Sequence, residues 1–422
     1  MVTYELSFSD QIMATFDTGL PLYTFRLKEE INVDALKEAV DEALLKHPLY
    51  RSRLVFEDGL YKYVHNELDP LISLAKWEDS LEYGTEKNNF YPWIIIAEED
   101  MIHFTTAHSL SDGGGSSRFI KSVLISYLEK MGRVFPPDID ITIEDAQRTT
   151  ELSGDKHLDF DNEAIFVPKE KEVLDMSLDM YENDINKVSA YNISIKESDI
   201  KKLTKESQTT TFAALAAILA ISYDKMLGLE EGIIKVEVPF DQRGFWNSIT
   251  DHNFAFMTRL YYDIAKLRGK DINLVQTAFR SQLDIYMDST NQINKFNQDY
   301  NMRMMLKENP ALLSQMAKSV KDRMFAPKAS IILTHIGDLK YPKELLSEIL
   351  DFRLTGRLMP GSMMAAIGFL YKDTITLNMV QATKGDIYIE KLMEMMDENN
   401  IPYVCEKIKP HGTIDLVAPR CI

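Results

Sequence analysis

The chain has 422 residues, 45% of them hydrophobic and 27% charged, which is more globular material than one ordinary core holds; two domains are expected. Its formal net charge of −18 argues against nucleic acid or an anionic membrane surface as partner, and any polyanion would need a local basic patch. The two cysteines, Cys405 and Cys421, lack metal-ligand or redox spacing, so a reduced cytoplasmic protein without a bound metal is expected. The start, Met1-Val-Thr-Tyr-Glu-Leu-Ser, does not read as a signal peptide, and the most apolar run, Phe212–Ile221, is too short to span a bilayer.

In chain order, Leu20–Leu27 predicts a strand. Asp34 is placed as the N-cap of a helix with Leu36, Val40 and Leu44 on one face, ending before Pro48. His47 reads as a helix-end residue favoured by the dipole rather than as a catalyst. Leu54–Phe56 and Leu60–Val64 flank Glu57-Asp58-Gly59, a hairpin signal. Trp93–Ala97 and Met101–Ala107 predict two more strands. Phe119, Ile120, Val123, Leu124, Tyr127 and Leu128 recur at helical spacing, giving a helix of about four turns that starts near Gly113-Gly114-Gly115. From Pro136-Pro137 to about Asn186 the chain is charged and poorly periodic, a surface crossover. The expected division is 1–180 and 181–422.

The second half opens with a strand at Tyr191–Ile195. A buried helix follows over Phe212–Met226, capped by Thr211 and ended by Gly228. Ile234, Val236 and Val238 form a strand that Pro239 is expected to end. Helical patterns fill roughly 271–323. Ser330–Thr334 is a strand leading to Thr334-His335-Ile336-Gly337-Asp338-Leu339. Strands at Ala365–Tyr371 and Thr374–Val380 and a helix at Tyr388–Asn399 complete the chain.

Chemistry is expected at Phe104–Gly115. A lone His near an Asp is common, and three glycines can be no more than a turn. No Lys-Ser/Thr follows and the G-x-G-x-x-G spacing is missing, so a phosphate cradle is set aside. His108 at a strand end, with Asp112 four residues later and glycines that turn the chain into a helix, fits a general base whose surroundings are held by a buried charge.

His108-Ser-Leu-Ser-Asp112-Gly113 resembles the His-x-x-x-Asp-Gly motif of the chloramphenicol-acetyltransferase-like superfamily, which includes peptide-synthetase condensation domains, alcohol acetyltransferases and plant acyltransferases. Val33-Asp34 through His47-Pro48-Leu49-Tyr50-Arg51 is similar to the first helix of condensation domains, with Tyr50 where Leu is usual. The order of buried helix, strand, Arg243-Gly244 and Asn253-Phe254 is also the superfamily's. Thr334-His335-Ile336-Gly337 resembles its Ser/Thr-Asn-x-Gly turn, with His335 replacing Asn, whereas the plant enzymes' Asp-Phe-Gly-Trp-Gly motif is absent.

The resemblance implies an α/β fold of two similar lobes arranged as a V with a tunnel between them. It implies that His108 deprotonates an acceptor hydroxyl or amine, which attacks a thioester carbonyl. Asp112 would be structural, paired with a second-lobe arginine whose place Arg243 matches; a solvated turn residue is the competing reading of Arg243. Gly113 would permit close backbone approach, with an N–H facing the oxyanion. Thr334 and Ser362 are candidates to hydrogen-bond an intermediate, while His252 and His335 read as loop or strand-end residues. The patches at Met302–Met305 and Met359–Met364 read as core filler, the second also as a possible acyl-tunnel lining.

The leading expectation is therefore an acyl-CoA-dependent O-acyltransferase, with acyl-CoA as co-substrate and no other cofactor. Carrier-protein-dependent ester or amide formation and a non-catalytic carrier-binding relative are the alternatives. Ala107, where condensation domains double the histidine, favours the acetyltransferase side.

Overall fold

The computed structural model describes residues 3–16, 21–77, 82–136, 170–180, 182, 188–324, 328–339, 341–356 and 362–408. Most of the crossover expected over 136–186, together with Met359 and Cys421, lies outside these residues.

Trp93-Ile94-Ile95-Ile96-Ala97 is buried on both faces, as a strand inside a sheet with both faces covered requires. It pairs antiparallel with Met101–Thr106, from Trp93 opposite Thr106 to Glu98 opposite Met101. These two belong to a five-stranded sheet in the order Ile349–Thr355, Leu22–Leu27, Met101–Thr106, Trp93–Glu98, Ser73–Leu74. The helices Val33–Lys46 and Gly113–Lys130 pack together: Leu36, Val40 and Leu44 share one core with Phe119, Ile120, Val123, Phe25, Trp93 and Phe104.

A second, seven-stranded sheet runs Ala255–Asp263, Ile233–Asp241, Lys328–Asp338, Ser362–Tyr371, Thr374–Gln381, Ser189–Lys196, Val404–Ile408. The helix Thr211–Leu227 is buried through Ala213–Ala220, where five alanines let its neighbours approach closely. A small third sheet joins Thr3–Glu5 to the hairpin Ser52–Glu57/Leu60–His65. Positive φ at Asp58 and Gly59 matches the twist of its two-residue turn. The result is the mixed α/β, two-lobed architecture expected from the sequence.

One strand crosses the division by number. Ile349–Thr355 completes the first sheet by pairing with Leu22–Leu27, Phe352 lying opposite Phe25. Its side chains Phe352 and Leu354 bury in the first core.

Several local expectations are corrected. Asn32, not Asp34, caps the helix Val33–Lys46, because its side chain accepts from the N–H groups of Asp34 and Ala35. Thr210, not Thr211, caps the buried helix by accepting from the Ala213 N–H. Pro239 does not end its strand, which continues to Asp241. The inner neighbour pairs only with Lys235–Glu237, so that edge is open at Pro239 and a missing N–H is tolerated. Thr334-His335-Ile336-Gly337 is no turn: the strand runs through to Asp338, with a register irregularity after His335 and Gly337 at φ 72°. Among the described residues no single helix is long and apolar enough to cross a membrane.

Phe352 is buried between Phe25 and Phe369, with ring centroids 4.9 and 5.0 Å away. Phe352→Ala should lower the unfolding free energy by about 3–5 kcal/mol, read as a lower urea midpoint at unchanged slope. The neighbouring Arg353→Ala should shift it by no more than about 0.5 kcal/mol, since that side chain is 67% exposed.

Candidate active site

The strand Met101–Thr106 ends at a tethered turn. The Ala107 N–H donates to the Pro92 carbonyl at 2.7 Å, and the Leu110 N–H closes back onto the Ala107 carbonyl at 3.1 Å. Ser109 Oγ meets the Tyr63 hydroxyl at 2.8 Å. His108 sits in this turn, partly exposed, with its Nδ1 buried and without a hydrogen bond. Burial pushes its pKa below the ordinary 6.5, opposed in part by the nearby backbone of His108 and Ser111 and by the Asp112 charge. The imidazole is therefore neutral at pH 7 and keeps a lone pair for a proton.

Asp112 is the N-cap of the helix Gly113–Lys130, accepting from the Gly115 N–H at 3.0 Å. Its Oδ1 also accepts from Arg243 Nη2 at 2.8 Å, while Oδ2 accepts from Arg243 Nη1 at 3.0 Å and from the Phe254 N–H at 2.7 Å. Arg243 spends its remaining donors on the Thr250 carbonyl, the His252 carbonyl and Asp241 Oδ1. All five guanidinium N–H groups are thus matched. Both side chains are buried. Burial alone would raise the Asp112 pKa, but the Arg243 charge and the hydrogen bonds hold it below the usual carboxylate value.

A second carboxylate crosses in the opposite direction. Asp251, from the loop between strands Ile233–Asp241 and Ala255–Asp263, is buried in the first core's helix pair. Its Oδ2 lies 2.7 Å from His47 Nδ1 and its Oδ1 accepts from Arg118 Nη2 at 2.6 Å. His47 Nε2 in turn meets Ser122 Oγ at 2.8 Å. The Asp251 pKa, raised by burial, is brought below the ordinary value by His47 and Arg118. His47 does end its helix, as expected, but burial against Asp251 rather than the dipole alone explains its place. The sequence marks nothing at Arg118 or Asp251; only His47 before Pro48 stands out in it.

The glycines also have a reason that the sequence hid. None of Gly113, Gly114 and Gly115 has positive φ, so no left-handed turn calls for them; they form the helix's first turn. A Cβ on Gly114 would lie 2.7 Å from Arg243 Nη1, and one on Gly115 2.3 Å from the Asp251 carbonyl oxygen. Gly113 is looser, with Tyr23 Oη at 3.6 Å and Ile336 Cδ1 at 3.7 Å from an added Cβ.

Thr334 lies opposite Ile367 in the parallel pair and shares a strand face with Ile336, which borders Gly113. Ser362 pairs with Lys328, six residues back along the same strand, so about 20 Å separates it from Thr334 and the two cannot serve one intermediate. His335 turns its ring over Gly368, where a Cβ would meet Nδ1 at 2.8 Å. His252 is held neutral by burial, its pKa pushed down to about 4. Met363 and Met364 are wholly buried in the second core. No group of three potential metal-ligating side chains occurs among the described residues.

No protein-family model and no curated protein matches the sequence. Solved structures do match. TRI101 of F. sporotrichioides complexed with coenzyme A and T-2 superposes at TM-score 0.64 and 12% identity, over 96% of this chain and 100% of that one. TRI3 trichothecene 15-O-acetyltransferase from Fusarium sporotrichioides gives 0.59 and 12%, over 94% of each. The epimerization domain from the third module of tyrocidine synthetase B gives 0.60 and 10%, over 94% and 95%. The fold is that of the chloramphenicol-acetyltransferase-like and condensation superfamily.

Removing either member of the buried pair leaves an uncompensated charge, so Asp112→Ala and Arg243→Ala should each cost about 3–5 kcal/mol. The double variant should lose less than the sum; additive losses in the cycle would show the pair to be uncoupled. Gly115→Ala should cost about 1–3 kcal/mol by overpacking against a backbone carbonyl, more than Gly113→Ala, as denaturant titration will show.

Proposed function

We propose that this chain is an acyltransferase that moves an acyl group from acyl-CoA to a hydroxyl acceptor, with His108 as general base. One observation carries the reading: Asp112 spends its hydrogen bonds on Arg243, Gly115 and Phe254, and none on His108. The carboxylate therefore shapes the turn, while the imidazole remains neutral beside it. The likeness to a structure holding coenzyme A and to an O-acetyltransferase supports the donor and the reaction class.

In this mechanism a ring nitrogen of His108 takes the acceptor's proton as its oxygen attacks the thioester carbonyl. The C–O bond forms and the carbonyl becomes an oxyanion. The C–S bond then breaks, and the imidazolium returns its proton to the sulfur, leaving an ester and the free thiol. Gly113, in the first turn of its helix, has an N–H without an intrahelical acceptor, and this group is the proposed oxyanion donor. The Thr334 hydroxyl is its proposed companion. The setting is proposed to be reduced and cytoplasmic, Cys405 having no disulfide partner among the described residues.

A second reading, transfer from a carrier protein with ester or amide formation, is supported by the likeness to a peptide-synthetase domain. Isotope-labelled acyl-CoAs offered with a panel of alcohols and amines, against the same acyl groups loaded on a carrier protein, separate the two by product mass. Absence of product from either donor would argue for a non-catalytic carrier-binding role.

His108→Ala should fold and lose about two to four orders of magnitude in turnover. An unchanged rate would remove His108 as the base. Because the neutral imidazole acts and its pKa is lowered, kcat/KM should climb with pH along an acid limb centred below pH 6.5. An acid limb centred above 6.5 would contradict the buried site.

A further inference from the structure

The proposed chemistry uses none of Asp251, His47 and Arg118, although they form a polar junction between the two halves in which Asp251 and His47 are buried and Arg118 is partly exposed. We infer that Asp251 is a positioning residue for His108, acting through the Ser111 hydroxyl.

Besides the Asp112–Arg243 pair, three further tethers hold the turn that carries His108 to its surroundings. Two are internal to the first half: Ala107 N–H to the Pro92 carbonyl, and Ser109 Oγ to the Tyr63 hydroxyl. The third leaves it: Ser111 Oγ donates to the Asp251 backbone carbonyl at 2.6 Å. Ser111 is wholly buried, three residues after His108 and one before Asp112. The carbonyl that receives it is itself anchored, because the Asp251 carboxylate is gripped at one oxygen by His47 and at the other by Arg118. Arg118 and Ser122, the partner of His47, lie on the helix that Asp112 caps. Gly115 leaves the space in which the carbonyl sits. The anchor, the helix and the turn therefore move as one body, and Asp251 transmits the placement of the second half to the base.

The inference rests on His108 being that base, so its test includes a readout that needs no turnover. Ser111→Ala and Asp251→Asn are compared with the unmodified protein by titrating the His108 ring resonance in ¹³C-histidine-labelled, unliganded protein, the signal assigned by its loss in His108→Ala. Of the charged groups around the ring, Asp112 is the one that acts on it. Loosening the turn admits water, so the depressed His108 pKa should rise toward its ordinary value in both variants. In acyl transfer, kcat should fall by about 10- to 100-fold, as expected of a base displaced by about an ångström. KM should stay within about threefold, since substrate contacts are untouched. Phe352→Ala, which weakens the same lobe elsewhere, should leave the His108 titration where it was. Should Ser111→Ala and Asp251→Asn merely destabilise the fold, with both the His108 titration and kcat unmoved, Asp251 is structural only and the inference fails. Should the unmodified protein transfer no acyl group, that result counts against the proposed function, and the resonance titration still decides the positioning role.

Discussion

A carboxylate and a guanidinium buried together are tolerable only when every lone pair and every N–H finds a partner, and the Asp112–Arg243 pair meets that demand. Its partners are mostly backbone groups: the Gly115 and Phe254 N–H groups and the carbonyls of Thr250 and His252. Satisfying the charges therefore dictates the path of the chain at both ends, a helix start in one half and a loop between strands in the other. Much of the site's geometry follows from this one constraint.

The exchange is reciprocal. The first half sends Asp112 to an arginine of the second, and the second sends Asp251 to a histidine and an arginine of the first. Two crossings at neighbouring points fix orientation as well as distance, which a single ion pair cannot do. Close seating of the two backbones needs side chains without Cβ atoms, and that is what Gly114 and Gly115 provide. The strand Ile349–Thr355 adds a third tie, built from ladder hydrogen bonds and apolar burial rather than charge.

This framework leaves His108 with the properties that the proposed base needs. The acid four residues away is fully engaged elsewhere, so in the proposed mechanism it does not compete for the acceptor's proton. The helix Gly113–Lys130 starts at this junction, so the positive end of its dipole lies where the proposed oxyanion would form. Tyr23 Oη and the Tyr341 hydroxyl reach the carbonyls of Gly113 and Ser117 on that helix, packing it against the first sheet and the strap that precedes Ile349.

Sequence alone determined those features that depend on neighbours a few residues apart. Apolar runs on either side of a polar turn marked the paired strands Trp93–Glu98 and Met101–Thr106, the 3.6-residue period marked the motif helix, and all-round apolarity marked the buried helix after Thr210; the spacing of His108, Asp112 and glycine marked the turn between strand and helix. The resemblance to the superfamily also implied Arg243 as the partner of Asp112, and the two meet across 131 positions. Tertiary structure alone decided the rest. His47 meets Asp251 across 204 positions, an acid with no local pattern around it. Thr334 and Ser362 part company because strand register sets their distance. The glycines proved to answer a steric need imposed by residues from the other half, and Ile349–Thr355 joined the first sheet because an edge strand takes its place from the ladder it completes. Backbone preference is a short-range property, whereas the pairing of buried charges and sheet edges depends on which distant groups folding brings together.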